Sequence, residues 1–193
     1  MQHTRVLLPL IRAAFAKTDH TLQDCVGVAV SEGPGSYTAL RAGLSSAKGI
    51  CMALEVPLMM ISTLQSLAAA ATAQRPSGTE HLVSALIARR QQLYAGEYAP
   101  DLQERVAPRA IETDALWRTS LASTPGVLIV GPDAEEIAQR FEQPVAALRV
   151  PLVAENLLAI SQLKFANRDF ANLDSAVPNY LKPPHITVAK PKF

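Results

Sequence analysis

Hydrophobic positions follow two different periods over the first 76 residues of the chain. Short apolar runs at 26–30 and 58–61 predict two buried strands. Apolar residues at helical spacing predict three helices: 4–17, 37–54 and 63–73. In the first helix, one face carries the residues that are expected to point inward: Leu7, Leu10, Ile11, Ala14 and Phe15. Ser62 is the expected N-cap of the third helix. The segment from 26 to 61 therefore has the order and size of one parallel crossover unit.

A polar break at 74–79 divides the predicted fold into two lobes, 1–76 and 77–193. Beyond the break, apolar runs predict three strands: 82–88, 93–98 and 127–130. A polar turn at 89–92 joins the first two of them, and Tyr94 and Tyr98 share one face of the second. The helices predicted for this lobe are 113–121, 133–141 and 154–166. The proline-rich tail from Pro178 is expected to lie extended over the surface.

Composition and charge exclude several classes of protein. Of the 193 residues, 49% are hydrophobic and the net charge is +1, which is not the basic excess of an electrostatic nucleic-acid binder. No apolar run reaches the roughly 18 residues of a membrane span, so we expect no membrane contact and a cytoplasmic location. Cys25 and Cys51 lie far apart and the histidines are scattered, which indicates neither a disulfide framework nor a metal site. The basic, amphipathic residues 1–18 fit a surface helix, and they also fit an organelle transit peptide.

The most informative segment is the turn between the first strand and the second helix. Gly33 and Gly35 permit a sharp bend, Pro34 stiffens it, and Ser36 is the expected side-chain cap of the helix. Free amides at a helix start attract anions, so Gly33, Gly35 and Ser36 are weak candidates for an anion site. The turn lacks the lysine of a Walker loop and the third glycine of a dinucleotide fingerprint. An ordinary strand-to-helix turn is the favoured interpretation of this segment.

Small side chains line two neighbouring stripes of the second helix. One stripe consists of Ala39, Gly43 and Ala47, and the other consists of Ala42, Ser46, Gly49 and Ala53. A glycine inside a helix costs about 1 kcal/mol relative to alanine, and the close approach of another element can offset that cost. The approaching element is either a part of this protein, namely its sheet or first helix, or a helix of a partner. Because there are two stripes, one can pack within the protein and the other against a partner.

At these residues the chain resembles a known family. The run from Gly33 to Gly43, the downstream Ser62-Thr63-Leu64, Ala88-Arg89-Arg90 and Pro178-Asn179-Tyr180-Leu181-Lys182 are similar to the bacterial TsaB (YeaZ) family. That family takes part in the threonylcarbamoyladenosine (t6A) modification of tRNA. The resemblance implies an α/β, actin-like ATPase (ASKHA, ribonuclease H-like) fold in two lobes. It also implies a cytoplasmic, non-catalytic subunit that binds the catalytic paralogue TsaD as a heterodimer, with the ATPase TsaE joining the assembly and tRNA bound indirectly.

The resemblance further implies that the first two helices form the dimerisation surface. The expected interface residues are Leu7, Ile11, Thr38, Ala39, Ala42, Gly43, Ser46, Ala47, Gly49 and Cys51. No catalytic residue, metal ligand or cofactor is expected. Whether a nucleotide binds at the subunit junction, and whether the same helices form a homodimer, are left open.

Three features depart from the family pattern. Ala39 replaces a usual glycine, and Ile87 stands where an aspartate commonly precedes Ala-Arg-Arg, which argues against an acid role there. Family members also begin with a β-hairpin and a third strand, so this first lobe is expected to be N-terminally truncated, with only two strands.

Two other functions compete with the scaffold role. An actin-fold ATPase or kinase, or a peptidase-like enzyme, would need acidic groups, for which Glu32 and Asp133 are the candidates. Direct tRNA binding would rest on Arg89, Arg90 and the lysines of 182–192.

Overall fold

The protein is an α/β structure, and the computed structural model describes residues 3–88, 92–112 and 121–182, with side chains from Val6 onward. Its helices are α1 His3–Phe15, α2 Tyr37–Leu54, α3 Thr63–Thr72, α4 Ala134–Ala138 and α5 Leu158–Ala166. Its strands are β1 Val28–Gly33, β2 Leu58–Ser62, β3 His81–Ile87, β4 Gln92–Tyr98, β5 Glu104–Glu112, β6 Val127–Gly131 and β7 Ala146–Arg149.

A parallel pair, β1 and β2, forms the first sheet, in the register that places Val28 beside Leu58. Helix α2 covers this pair, and its Leu44, Ala47 and Cys51 form one core cluster with Leu58. The predicted bounds of α2 are confirmed, and the Ser62 hydroxyl accepts from the Gln65 amide at 3.4 Å, as an N-cap should. Within the described residues this sheet has two strands, as expected.

The second sheet has five strands in the order β5-β4-β3-β6-β7. Strands β3, β4 and β5 pair antiparallel, whereas β6 and β7 join them in parallel. Helix α3 packs Leu64 and Leu67 into one core cluster, which also contains Tyr98 and, partly buried, Tyr94, so the predicted common face of the two tyrosines is confirmed. Ile137 of α4 belongs to a second cluster of this sheet.

Several sequence-based expectations are corrected. Strand β1 begins at Val28 and continues to Gly33, and Val26 is exposed. In α1, Leu10 and Ala14 point outward, while Leu7, Ile11 and Phe15 are half-buried. Two strands were not predicted: β5, a polar strand that contains Pro108, and the four-residue β7. Both are edge strands, where proline and short length are tolerated.

The helices of the second half also differ in length from the prediction. Helix α4 ends at Ala138, and the predicted helix 154–166 begins as a 3₁₀ turn, Ala154–Leu157. The predicted helix at 113–121, the turn at 89–92 and the tail beyond Lys182 lie largely or wholly outside the described residues. The boundary between lobes 1–76 and 77–193 stays a prediction.

Candidate functional site

The two small-residue stripes of α2 point in different directions. Residues of the first stripe become more buried toward the C-terminal end of the helix: Ala39 is exposed, Gly43 is half-buried, and Ala47 is 5% exposed. A Cβ built on Gly43 would lie 3.8 Å from Cγ2 of Val30, an ordinary contact with the protein's own strand. This stripe therefore lets α2 lie close to β1.

The second stripe remains on the outside of α2. Ala42 and Ser46 are half-buried, whereas Gly49 and Ala53 are exposed. A Cβ built on Gly49 would meet no atom within 4 Å. Nothing in the described chain explains why position 49 should lack a side chain, although an alanine there would favour the helix.

Large apolar side chains are also exposed on α1 and α2. Helix α1 packs against α2, and its Leu8 and Leu10 are 55% and 60% exposed. Met52, one turn beyond Gly49 on α2, is 70% exposed. Contiguous exposed apolar surface is typical of a site that another protein covers. We call Ala42, Ser46, Gly49 and Met52 of α2 the outer face.

The ten residues that were predicted as an interface thus divide into three groups. Thr38, Ala39 and Gly49 are exposed. Leu7, Ile11, Ala42, Gly43 and Ser46 are half-buried. Ala47 and Cys51 lie in the protein's own core, at 5% and 1% exposure, where a partner cannot reach them without opening the chain. The interface itself stays a prediction, carried by the first two groups.

The Gly-Pro-Gly turn differs in one respect from what the sequence suggests. Gly33 is buried at a φ of +118°, while Gly35 and Ser36 are exposed. Ser36 occupies the N-cap position, but its side chain makes no capping hydrogen bond, so that part of the prediction is wrong. Its carbonyl accepts from the Leu40 amide at 2.9 Å and so begins the helix. The anion site at Gly33, Gly35 and Ser36 stays a prediction.

Polar groups gather where the parallel strands β1 and β2 end. The hydroxyls of Ser31 and Thr63 lie 2.5 Å apart, and Ser31 also accepts from the Gly33 amide. Burial raises the pKa of the neighbouring Glu32 carboxyl, and Lys164 opposes the increase. Asp133, the other acid that an enzymatic reading would use, accepts from the Ile87 amide at 3.3 Å. Contacts within the fold therefore account for the positions of both candidate acids, Glu32 and Asp133.

The described residues contain neither a cluster of metal-ligand side chains nor a membrane-spanning helix. Among residues 3–88, 92–112 and 121–182, no three His, Cys, Asp or Glu side chains group as metal ligands would. No described helix is both long enough and apolar enough to cross a bilayer.

One set of contacts was missed by the sequence reasoning. Tyr180 stacks on Tyr37 with 4.7 Å between the ring centroids, and the Arg41 Nε donates to the Tyr180 hydroxyl at 3.0 Å. The signal that the sequence offers is the resemblance of segment 178–182 to the family pattern. Its position against α2 could not be read from the sequence.

The fold defines the class of this protein. It has the actin-like ATPase (ASKHA) fold, and the solved structure of YeaZ from Pseudomonas aeruginosa superposes on it with a TM-score of 0.77. That superposition has 24% sequence identity and covers 93% of this chain and 84% of the other.

Sequence comparisons identify the family. A family model described as "TsaD: tRNA N6-adenosine threonylcarbamoyltransferase" matches residues 1–188. The tRNA threonylcarbamoyladenosine biosynthesis protein TsaB of Bacillus subtilis is 29% identical over 187 residues, which cover 93% of this chain and 80% of that protein. The protein of the same name from Escherichia coli is 32% identical over 100 residues, 52% of this chain but only 42% of that protein. The chain belongs to this family, within its TsaB (YeaZ) group. The resemblance inferred from the sequence is confirmed.

Proposed function

We propose that this chain is a non-catalytic scaffold subunit in the biosynthesis of threonylcarbamoyladenosine in tRNA, and that it binds a TsaD-type paralogue through its outer face. The names of the relatives from B. subtilis and E. coli support the pathway. The observation that carries the binding role is the strip of small, half-buried or exposed residues on α2 beside the exposed Met52.

The chemistry of the outer face suits a helical partner. Small side chains at Ala42, Ser46 and Gly49 leave a shallow groove on α2 and allow another helix to approach closely. A ridge of large side chains on the partner helix can then pack into this groove. Exposed Met52, with exposed leucines on the adjacent α1 (Leu8 and Leu10), supplies apolar area that can become buried on binding. The same geometry permits a homodimer when the paralogue is absent. An ATPase of the TsaE type, indirect contact with tRNA and a cytoplasmic location complete the proposal.

The test is isothermal titration of the paralogue with the chain and with a Gly49→Arg variant. Because the space around Gly49 is open, arginine fits the free chain and favours the helix, yet it projects where the partner helix would lie. We expect binding to fall at least about a hundredfold, roughly the 2–3 kcal/mol of a central interface residue, with no loss of thermal stability. Gln162→Arg, at an exposed position of α5, is the matched control and should bind like the wild type.

Equal binding by the wild type, Gly49→Arg and Gln162→Arg would contradict the proposed surface. Failure of the wild type to bind the paralogue at all would contradict the scaffold role.

A second function is an actin-fold ATPase or peptidase-like enzyme in its own right. The match of residues 1–188 to a family model that is described as a transferase favours an enzyme. The discriminating assay is nucleotide turnover by the purified chain, alone and with the paralogue. The scaffold role predicts no turnover by the chain alone, and turnover that disappears in a Glu32→Gln variant would support the enzyme instead.

A further inference from the structure

Residues 178–182 belong to no helix or strand, yet they are held against the beginning of α2. The Asn179 amide donates to the Glu32 carbonyl of β1 at 2.8 Å. A Cβ built on Gly33 would lie 2.8 Å from the Asn179 carbonyl oxygen, so this approach depends on a residue without a side chain. The segment therefore lies directly on the Gly-Pro-Gly turn.

Side chains join the segment to α2. The Tyr180 ring stacks on the Tyr37 ring at an interplanar angle of 30°, and the Arg41 guanidinium lies 4.3 Å from the centroid of Tyr37 on α2. Because Arg41 also donates to the Tyr180 hydroxyl, the three side chains hold one another. Beyond them, the Lys182 ammonium donates to the Gln92 side chain at the start of β4. The segment thus links β1, α2 and the second sheet.

These contacts occur at the end of α2 that has no side-chain cap. Ser36 provides no side-chain cap, and the first amides of a helix have no acceptor within the helix. Tyr37 and Arg41 are one turn apart at the start of α2, with Thr38 between them in sequence. Ala42, the first residue of the outer face, follows Arg41 directly. Whatever holds Tyr37 and Arg41 consequently fixes the end of the helix at which the outer face begins.

We propose that residues 178–182 form a clasp that holds the first turn of α2 in its docking position, so that partner binding through the outer face depends on the clasp. This inference rests on the proposed function, whose partner is the TsaD-type paralogue. Tyr180 is a positioning residue here, since it acts through Tyr37 and Arg41 rather than through the partner.

The experiment uses the full chain with Tyr180→Ala, which removes the stack and the hydrogen bond, and Tyr180→Phe, which removes the hydrogen bond alone. Val177→Ala, an exposed position just before the clasp, is the matched control. Two measurements are made on each variant: amide hydrogen exchange and affinity for the paralogue by titration.

In Tyr180→Ala we expect the amides of Asn179 and Leu40 to exchange about tenfold faster, as the loss of an aromatic pair implies. We expect affinity for the paralogue to fall about three- to tenfold for the same reason. Tyr180→Phe should change both quantities less and in the same direction, and Val177→Ala should change neither. Thermal unfolding establishes that each variant is folded.

Unchanged exchange at Asn179 and Leu40 in Tyr180→Ala would overturn the clasp. Faster exchange with wild-type affinity would overturn the coupling to docking, and with it the inference. In both cases the proposed function survives, because the wild type still binds. A wild-type chain that does not bind the paralogue overturns the proposed function and this inference together.

Discussion

Replacement of Gly33 by alanine tests the arrangement of the turn most sharply. Two separate features oppose a side chain at this position. The φ of +118° is one that residues with a Cβ rarely adopt, and the new Cβ would lie 2.8 Å from the Asn179 carbonyl oxygen and 3.1 Å from Cδ1 of Leu40. Leu40 can adjust its rotamer, but the Asn179 backbone can move only by leaving the Glu32 carbonyl.

The expected cost follows from these contacts. A sparsely populated backbone conformation costs about 1–3 kcal/mol, and the loss of the hydrogen bond between Asn179 and Glu32 adds about 1 kcal/mol. We therefore expect Gly33→Ala to lower the free energy of unfolding by about 3 kcal/mol, a decrease in Tm of about 6–12 °C for a chain of this size.

Gly49→Ala is the matched control. It makes the same chemical change inside α2, but the space around position 49 is open and the residue is helical. Alanine there should raise the free energy of unfolding by about 0.5–1 kcal/mol. Both variants are measured by urea denaturation and thermal unfolding, followed by circular dichroism. A Gly33→Ala variant within about 0.5 kcal/mol of the wild type, the usual range of a neutral surface change, would refute the reasoning.

Three further variants test other parts of the account. Ala47→Leu should lower the free energy of unfolding by about 1–3 kcal/mol, because it overpacks the space between α2 and the first sheet; full stability would show that Ala47 is not a core residue. Ser84→Ala should leave urea stability unchanged or raise it by up to about 1 kcal/mol, since the buried Ser84 hydroxyl has no hydrogen-bond partner in the described part of the chain; a large loss of stability would reveal a partner. Glu32→Gln tests the raised pKa of the Glu32 carboxyl. Because the folded state favours the neutral carboxyl, its stability is highest below the ordinary pKa of 4.5 and decreases as pH rises through the raised pKa. The variant should therefore exceed the wild type in urea stability at pH 7, and this gain should vanish below about pH 4.5. A gain of equal size at both pH values would contradict burial as its cause.

The first half of the fold was predictable because its local signals agree with its tertiary structure. The bounds of α2 and the cap at Ser62 follow from residue types that favour those states by themselves. Strand β5 was missed because its polar residues and Pro108 favour no strand, and β4 supplies the pairing that makes it one. Strand β7 is too short to show a period, and β6 fixes it in the same way.

The candidate site was predictable only in part. The small residues identified α2 as a helix that another element approaches closely. Because both stripes consist of small residues, the sequence could not tell which stripe faces the protein's own sheet. The position of the sheet decides that Ala47 faces inward and Gly49 outward. The contact between Arg41 and Tyr180 joins residues 139 positions apart, and no local pattern in the sequence indicates it.

The most direct test of the docking face is hydroxyl-radical footprinting of the chain with and without the TsaD-type paralogue. Met52 is an exposed probe on the outer face, Leu8 and Leu10 are exposed probes on the adjacent α1, and Met59 is a buried internal standard. Leu158 and Leu163 are probes of similar exposure on α5, away from that face. We expect complex formation to protect Met52, Leu8 and Leu10 and to leave Leu158 and Leu163 as reactive as before. Protection of Leu158 and Leu163, with Met52 and Leu10 still fully oxidised, would contradict the account.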